Sequence, residues 1–376
     1  MKKTQSARLG SLDILRGFDL FVLVFFQPVF MTLVRNTDIA WLDAIATQFT
    51  HVQWEGFRFW DIIMPLFMFM AGASMPFAFQ KYLSNGSKAR LYRRIIKRVI
   101  LLFIFGMMCQ GNLLALNPNR IYFYSNTLQA IAVGYLISAV FLMHFNLRWQ
   151  IILTSGLLLT YWALLTFVRV DGFGGGNFTP DHNLAEYVDR VVLGRFRDRV
   201  KVTPEGLDFG NYRYTWILSS LNFGVTVMTG VFAGQIMKSK MTKRNIIKWL
   251  VIAGVAMVVA GHLWSFQMPI IKKIWTSSMT LLSSGYCFLL MALFYFLIDY
   301  HHYGKYLNWL KIYGMNSIMA YMLYMIVNFT SVTRSLLFGT EQYLGDFYPV
   351  LIRMGNASIV LFILWVMYKQ RILLKV

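Results

Sequence analysis

The chain has 376 residues, of which 57% are hydrophobic, 17% aromatic and only 14% charged, and its mean hydropathy is +0.53. That composition excludes a water-soluble globule and points to a protein that crosses a membrane several times. The formal charge of +20 would suggest nucleic acid for a soluble protein, but here the basic residues gather in particular loops, so the lipid bilayer is the expected partner and nucleic acid is not.

Ten apolar segments are long enough, or nearly so, to cross a hydrocarbon core of roughly 30 Å, which takes about 20 helical residues. They lie near residues 17–34, 61–80, 95–116, 127–145, 150–169, 215–237, 246–265, 278–299, 312–330 and 348–368. The predicted fold is therefore all-α, a polytopic transmembrane bundle of about ten helices forming one domain over residues 1–376. No small-residue cleavage site follows the first segment, so it reads as a retained helix. The fourth and fifth segments are joined so closely that they form a helical hairpin. Cys109 and Cys287 both lie within apolar stretches, which leaves no disulfide framework or zinc motif, and no metal is expected.

Orientation follows from the loops. "MKKTQSAR", "KYLSNGSKARLYRRIIKR" and "KSKMTKRNIIK" are dense in Lys and Arg and fall on one side of a ten-crossing bundle. By the positive-inside rule that side is the cytoplasm, and both termini lie there. The opposite side receives loops 35–60, 117–126, 170–214, 266–277 and 331–347, which hold most of the carboxylates. Loop 170–214 opens with the flexible "GFGGG" and carries both signs of charge. It is long enough to cap a site and too short for a separate domain.

Several polar residues fall where hydrocarbon makes them costly. Asp13 and Arg16 stand one helical turn apart, with Asp19 a turn further on, the pattern of an internally paired, snorkelling helix start. Gln27 beside Pro28 puts an amide inside the first segment, where such groups face a bundle interior or a wet cavity. Asn126 and Gln129, then Asn316, Ser317, Tyr321 and Tyr324, repeat this further along. Each alone could be helix-packing glue; their number suggests an internal polar pocket.

The stretch "FTHVQWEGFRFWDIIMPLFMFMAG", residues 49–72, sets ionisable groups against a strongly apolar run. A helix beginning over 51–55 would put His51 and Glu55 on one face at i,i+4, with Trp54 beside them. Asp61 opens the next crossing, in which Pro65 and Gly72 would bend the helix or admit a close neighbour. His51 reads either as an interfacial residue beside an aromatic belt or as a general base or acyl-accepting nucleophile whose tautomer a carboxylate fixes. His144, His182, His262, His301 and His302 sit in turns, in the long loop or in an apolar run, and no HExxH, P-loop or GxSxG pattern appears.

In order along residues 8–330, "SLDILRGFDLF", "HVQWEGFRFWDIIMPLFMFMAGAS", "NTLQAIAVGYL", "GVFAG", "LIDY" and "YGMNSIMAYMLY" resemble the motifs of the heparan-α-glucosaminide N-acetyltransferase family and its bacterial relatives. "AEYVDRVVLG" and "PEG" in the long loop resemble it too. The resemblance implies transfer of acetyl from cytosolic acetyl-CoA, the co-substrate, to the free amino group of a terminal glucosamine on the far face of the membrane. It also implies that His51, in its H-x-x-W-x-G context, is the active histidine, with Asp61 or Glu55 holding its tautomer and Trp54 a platform for the sugar ring. Gln27 stands where the family has a functional asparagine, and with Gln129 and Asn316 it would line the acyl channel or donate to the thioester oxyanion. Arg8, Arg16, Arg94 and Arg98, with Asp13 beside Arg16, are the candidates for holding the nucleotide phosphates, joined by Arg93 and Lys97. The implied setting is a bacterial inner (plasma) membrane, with a glycan fragment or envelope sugar as acceptor and a homodimer left open. Two other readings stand beside this one: a transporter or flippase for a sugar or lipid-linked glycan, with His51 and Asp61 coupling protons, and an acyltransferase using another acyl group or an O-linked acceptor.

Overall fold

The computed structural model describes residues 9–37, 39–84, 86, 88–110, 113–118, 121–210 and 214–374. Among them are eight helices long and apolar enough to cross a membrane: Gly10–Arg35, Phe59–Gln80, Thr127–His144, Leu147–Phe167, Ser220–Lys238, Lys243–Trp264, Ser277–Tyr300 and the stretch Thr330–Lys369. The two other predicted crossings differ for local reasons. Segment 95–116 falls on helix Lys88–Cys109, whose first half carries six basic residues, Lys88, Arg90, Arg93, Arg94, Lys97 and Arg98. Segment 312–330 is divided into Leu310–Met315 and Ser317–Ile326, because Asn316 between them leaves the helical region with φ −122° and ψ 45°. The protein is an all-α polytopic bundle. Its described strands are two short hairpins, Arg169–Val170 with Phe173–Gly174 and Lys201–Thr203 with Gly206–Asp208.

The chain forms two compact units. The first comprises the chain through His51, Arg58–Ile63 and the part from Leu293 to Lys375. Its opening helix Gly10–Phe21 widens into a π-helical turn at Val22–Phe26 and continues as Gln27–Arg35. Pro28 has no N–H, and the widened turn ahead of it is the register change by which a helix absorbs such a residue. Helix Gly10–Phe21 lies against Leu310–Met315 at backbone distance: a Cβ on Gly17 would fall 1.9 Å from the Leu310 carbonyl oxygen, and one on Gly314 2.0 Å from that of Asp13. Only glycine permits so close an approach, the small-residue packing expected where no hydrophobic force drives helices together.

The second unit comprises Val52–Phe57 and Met64–Ala292. Phe59–Gln80 and Ser220–Lys238 are each 72% buried along their apolar windows, against 28% for Leu147–Phe167 and 22% for Lys243–Trp264. The first two are therefore interior, while the last two keep broad apolar faces outward, where lipid suits them. A Cβ on Gly72 would fall 1.9 Å from the Val227 carbonyl oxygen, and one on Gly230 1.9 Å from that of Phe69, so Gly72 admits its neighbour as the sequence suggests. Pro65 sits in the first turn of helix Ile63–Ser84, where its missing N–H has no partner to lose.

The described residues of loop 170–214 belong to this unit. Asn183 caps helix Leu184–Leu193 by accepting from Glu186 N at 2.9 Å. The Glu186 carboxylate, fully buried, takes both terminal nitrogens of the equally buried Arg197, one of them at 2.6 Å, and Arg190 Nε at 2.9 Å. Asp189 accepts from Trp216 N at 2.8 Å and Ile217 N at 2.9 Å. A buried carboxylate lacking such partners would destabilise the loop strongly.

Candidate active site

The chain reaches His51 through an aromatic anchor. After helix Ala40–Gln48, the ring of Phe49 lies 5.2 Å from Phe26, 5.4 Å from Phe30 and 5.3 Å from Phe59, centre to centre. Gln27 Nε2 donates to the Phe49 carbonyl at 3.3 Å, so the first helix holds the backbone two residues ahead of His51. Arg58 holds it from the other side, donating from Nη1 to Thr50 Oγ1 at 2.7 Å and to the His51 carbonyl at 3.4 Å.

His51 Nδ1 lies 2.7 Å from Asp61 Oδ1. The Asp61 side chain is only 1% exposed while that of His51 is 45% exposed, so a buried carboxylate orients a ring that reaches open space. Asp61 Oδ2 accepts from Arg58 N at 3.1 Å, which fixes the carboxylate in turn. With Nδ1–H donated to Asp61, Nε2 carries the lone pair, and the arrangement can take up a proton or bond to a carbon while the carboxylate stabilises the charge that develops.

Residues 51–55 do not begin a helix. Gly56 has φ +121°, incompatible with a right-handed helix, and its N–H donates to the Ile270 carbonyl at 2.8 Å. Glu55 therefore does not share a face with His51; it is exposed, and the partner of the ring is Asp61. Trp54 is held in the second unit, donating from Nε1 to the Phe178 carbonyl at 2.9 Å, with Lys273 Nζ 5.9 Å from its ring centre.

Two of the three predicted amide ligands bond to backbone groups through both amide atoms. Gln129 Oε1 accepts from Ser125 N at 2.8 Å and Asn126 N at 3.0 Å, and its Nε2 donates to Phe123 O at 2.9 Å and Phe103 O at 3.4 Å. With Asn126 Oδ1 accepting from Leu128 N at 2.9 Å, Asn126 and Gln129 form a capping box for helix Thr127–His144, and the Gln129 amide nitrogen is engaged by backbone carbonyls outside it. Asn316 Nδ2 donates to Ile372 O at 2.9 Å and its Oδ1 accepts from Leu374 N at 3.0 Å, so it clasps the C-terminal segment. Among the basic candidates, Arg16 lies 3.6 Å from Asp13. Arg94 donates to Tyr82 Oη at 3.1 Å, and the Arg98 guanidinium stands 4.5 Å above the Tyr135 ring. Arg8 lies outside the described residues.

Arg58 and Phe49 escape a reading by residue type. A signal for Arg58 exists in its place three residues before Asp61, the N-cap to N3 spacing at which a carboxylate returns to the N-cap backbone; that box is present here. Among the described residues, no group of three or more His, Cys, Asp or Glu side chains is placed to hold a metal ion.

Residues 8–173 match the family model described as heparan-alpha-glucosaminide N-acetyltransferase, catalytic. Over these residues the chain is similar to that family. Two curated relatives bear the same name. The one from Mus musculus is 24% identical over 378 residues, covering 85% of this chain and 54% of its own length, and the one from Homo sapiens is 26% identical over 377 residues, covering 84% and 52%. The chain thus spans about half the length of the curated relatives it matches. The family match contains the whole His51, Arg58 and Asp61 arrangement and stops at residue 173, leaving nearly all of loop 170–214 outside it. The hydrogen-bonded cluster around the His51 ring therefore lies within the matched segment.

Proposed function

We propose that this chain is a membrane acetyltransferase that moves an acetyl group from acetyl-CoA to the amino group of a glucosamine-type sugar on the extracytoplasmic side. The observation that carries the reading is the 2.7 Å bond from His51 Nδ1 to the buried Asp61, within a segment matched to a family of N-acetyltransferases. As the sugar amine attacks the thioester carbonyl, a C–N bond forms, the C–S bond breaks and the ammonium proton must leave. His51 Nε2 accepts that proton and returns it to the departing CoA sulfur, so the products are amide and thiol. If the imidazole first takes the acetyl itself, Nε2 is the atom acylated and Asp61 supports the same ring. With Gln129 and Asn316 engaged elsewhere, Gln27 is the remaining amide candidate for the oxyanion; one of its N–H groups is bound to Phe49 O at 3.3 Å and the second is available to a ligand.

The donor is cytosolic in this reading, and the guanidinium groups of Arg94 and Arg98 on helix Lys88–Cys109 are candidates for its phosphates; Arg16 on the first helix is a separate candidate. Each already has a tyrosine or Asp13 as partner, which phosphate would displace or share. Both termini face the cytoplasm of a plasma membrane. The deciding experiment supplies labelled acetyl-CoA and a panel of amino sugars to the protein in sealed vesicles. The reading expects labelled N-acetyl sugar from the parent. It expects a loss of at least ~10²-fold in His51→Ala with acetyl-CoA binding retained. Unmodified sugar accumulating inside the vesicles would instead establish transport, and a His51→Ala protein within a few-fold of the parent rate would remove His51 from the chemistry.

A further inference from the structure

The final helix carries a cation that acyl transfer does not use. Arg353 lies in the second turn of Tyr348–Lys369, an apolar helix of 22 residues, and among the described residues no carboxylate forms an ion pair with it. A charge so placed in a spanning segment is either an interfacial anchor that snorkels to water or part of a site. An anchor needs no cavity. Arg353 instead lines one of about 170 Å³, together with Pro28, Tyr324, Asn328, Thr330 and Asn356, all of them in the first unit.

A break in the fold makes this cavity. Helix Ser317–Ile326 ends as Val327 turns extended at φ −98° and ψ 119°, and helical structure resumes at Thr330. Between them Asn328 Oδ1 accepts from Thr330 N at 3.0 Å. Asn356 ties the restarted helix to the final one, donating from Nδ2 to Thr330 Oγ1 at 3.0 Å and accepting from Thr333 Oγ1 at 2.6 Å. Unwound backbone between apolar helices needs protein burial or a polar cavity to receive it, and broken helices can build ligand sites. The rest of the lining is apolar, with Val24, Ile326, Ala357 and Val360. One guanidinium, a phenol and two amides thus converge on a space whose other walls suit hydrocarbon.

We propose that this cavity binds the phosphate of a membrane lipid, with Arg353 as the charged ligand, Tyr324 and Asn328 as hydrogen-bonding neighbours, and the first carbons beyond the phosphate against Val24 and Val360. Charge complementarity selects the occupant: the site has a planar fork suited to phosphate and no acidic group opposing it. A headgroup phosphate with its adjoining atoms fits the volume, and the acyl tails stay in the bilayer. The inference is independent of the acyl-transfer reading, because none of its residues belongs to the His51 arrangement.

Native mass spectrometry of the full chain in neutral detergent tests it with three probes: phosphatidylglycerol, diacylglycerol without phosphate, and inorganic phosphate. The expected result is retained phosphatidylglycerol, with retention falling about tenfold in Arg353→Gln, as loss of one charge-assisted contact implies. It should be recovered in Arg353→Lys and unchanged in Arg334→Gln, which removes a charge from helix Thr330–Leu337 outside the cavity lining. Ala357→Leu, which fills the cavity without altering charge, should also reduce retention, and it keeps the test decisive if Arg353→Gln fails to fold. Diacylglycerol should show no dependence on Arg353. Equal retention by the parent and both Arg353→Gln and Ala357→Leu would overturn the proposal. So would an equal fall in Arg334→Gln, or competition by inorganic phosphate at the concentration of the lipid.

Discussion

Asp61 and Glu55 are both carboxylates close to His51 in sequence, and the backbone between them decides which one the ring meets. Residue types and spacing placed a histidine with a carboxylate partner in this stretch; the choice of Asp61 over Glu55 depended on Gly56 at φ +121° and on Arg58, whose N–H and guanidinium fasten Asp61 and the His51 carbonyl together. Asp61→Asn preserves the shape and the bond from Arg58 N but removes the charge opposite the imidazolium. Transfer should fall by at least ~10²-fold in that variant, while Glu55→Gln should stay within about twofold of the parent, because exposed substitutions remote from a site have small effects. Both are read from initial rates with labelled acetyl-CoA; equal losses in the two variants would remove the distinction. Gln129 shows the opposite difficulty. Its amide looks like a ligand in the sequence, and the cap that engages it is local, but a glutamine inside an apolar helix gives no sign of which use applies until the path of residues 123–126 is known.

Among the elements, loop 170–214 departs most from its sequence signature. The sequence shows only that the loop carries both signs of charge; in the structure Glu186, Asp189 and Arg197 are buried to 0% exposure. Burial pushes the Asp189 carboxyl up to about 7, outweighing the bond from Ile217 N, the Arg197 charge and the bond from Trp216 N, with the Glu186 charge adding to the rise. The folded loop therefore holds a proton that the unfolded chain, near its ordinary value of 3.8, would release. The stability this supplies is complete below about pH 4 and is lost as pH rises towards about 7. Thermal unfolding followed by protease cleavage within the loop should show a midpoint that falls across that window, and Asp189→Asn should flatten the dependence. A midpoint that rose with pH would contradict the assignment. Arg197→Met, which strips Glu186 of its two-nitrogen partner, should cost about 3–5 kcal/mol, as breaking a buried pair does.

At the scale of the molecule, orientation is the property on which donor and acceptor access depends. With ten crossings the basic loops around 85–98 and 238–248 are four crossings apart and lie on one side, which the positive-inside rule assigns to the cytoplasm; this arrangement requires helix Lys88–Cys109 to cross, because only three of the eight long apolar helices lie between the two loops. Both native cysteines are buried, which leaves a quiet background for labelling. An impermeant thiol reagent added outside intact cells should modify Glu205→Cys in the exposed turn of the second hairpin and spare Lys240→Cys; the reverse pattern would invert the topology.

The sequence by itself determined the class of protein, the approximate position of its apolar helices and the stretch containing His51 and Asp61, because hydropathy over about 20 residues and the spacing of ionisable groups are local properties. It also carried the family likeness in ordered motifs. Tertiary structure alone decided that Gln129 and Asn316 serve the backbone, that Arg58 braces the histidine, and that Glu186 and Arg197 form a buried pair. It also decided that the segment ending at Ile326 breaks to open a cavity beside Arg353. Each of these outcomes depends on which backbone groups a side chain meets after distant helices pack, and a buried polar atom must take whatever partner that packing brings within about 3 Å.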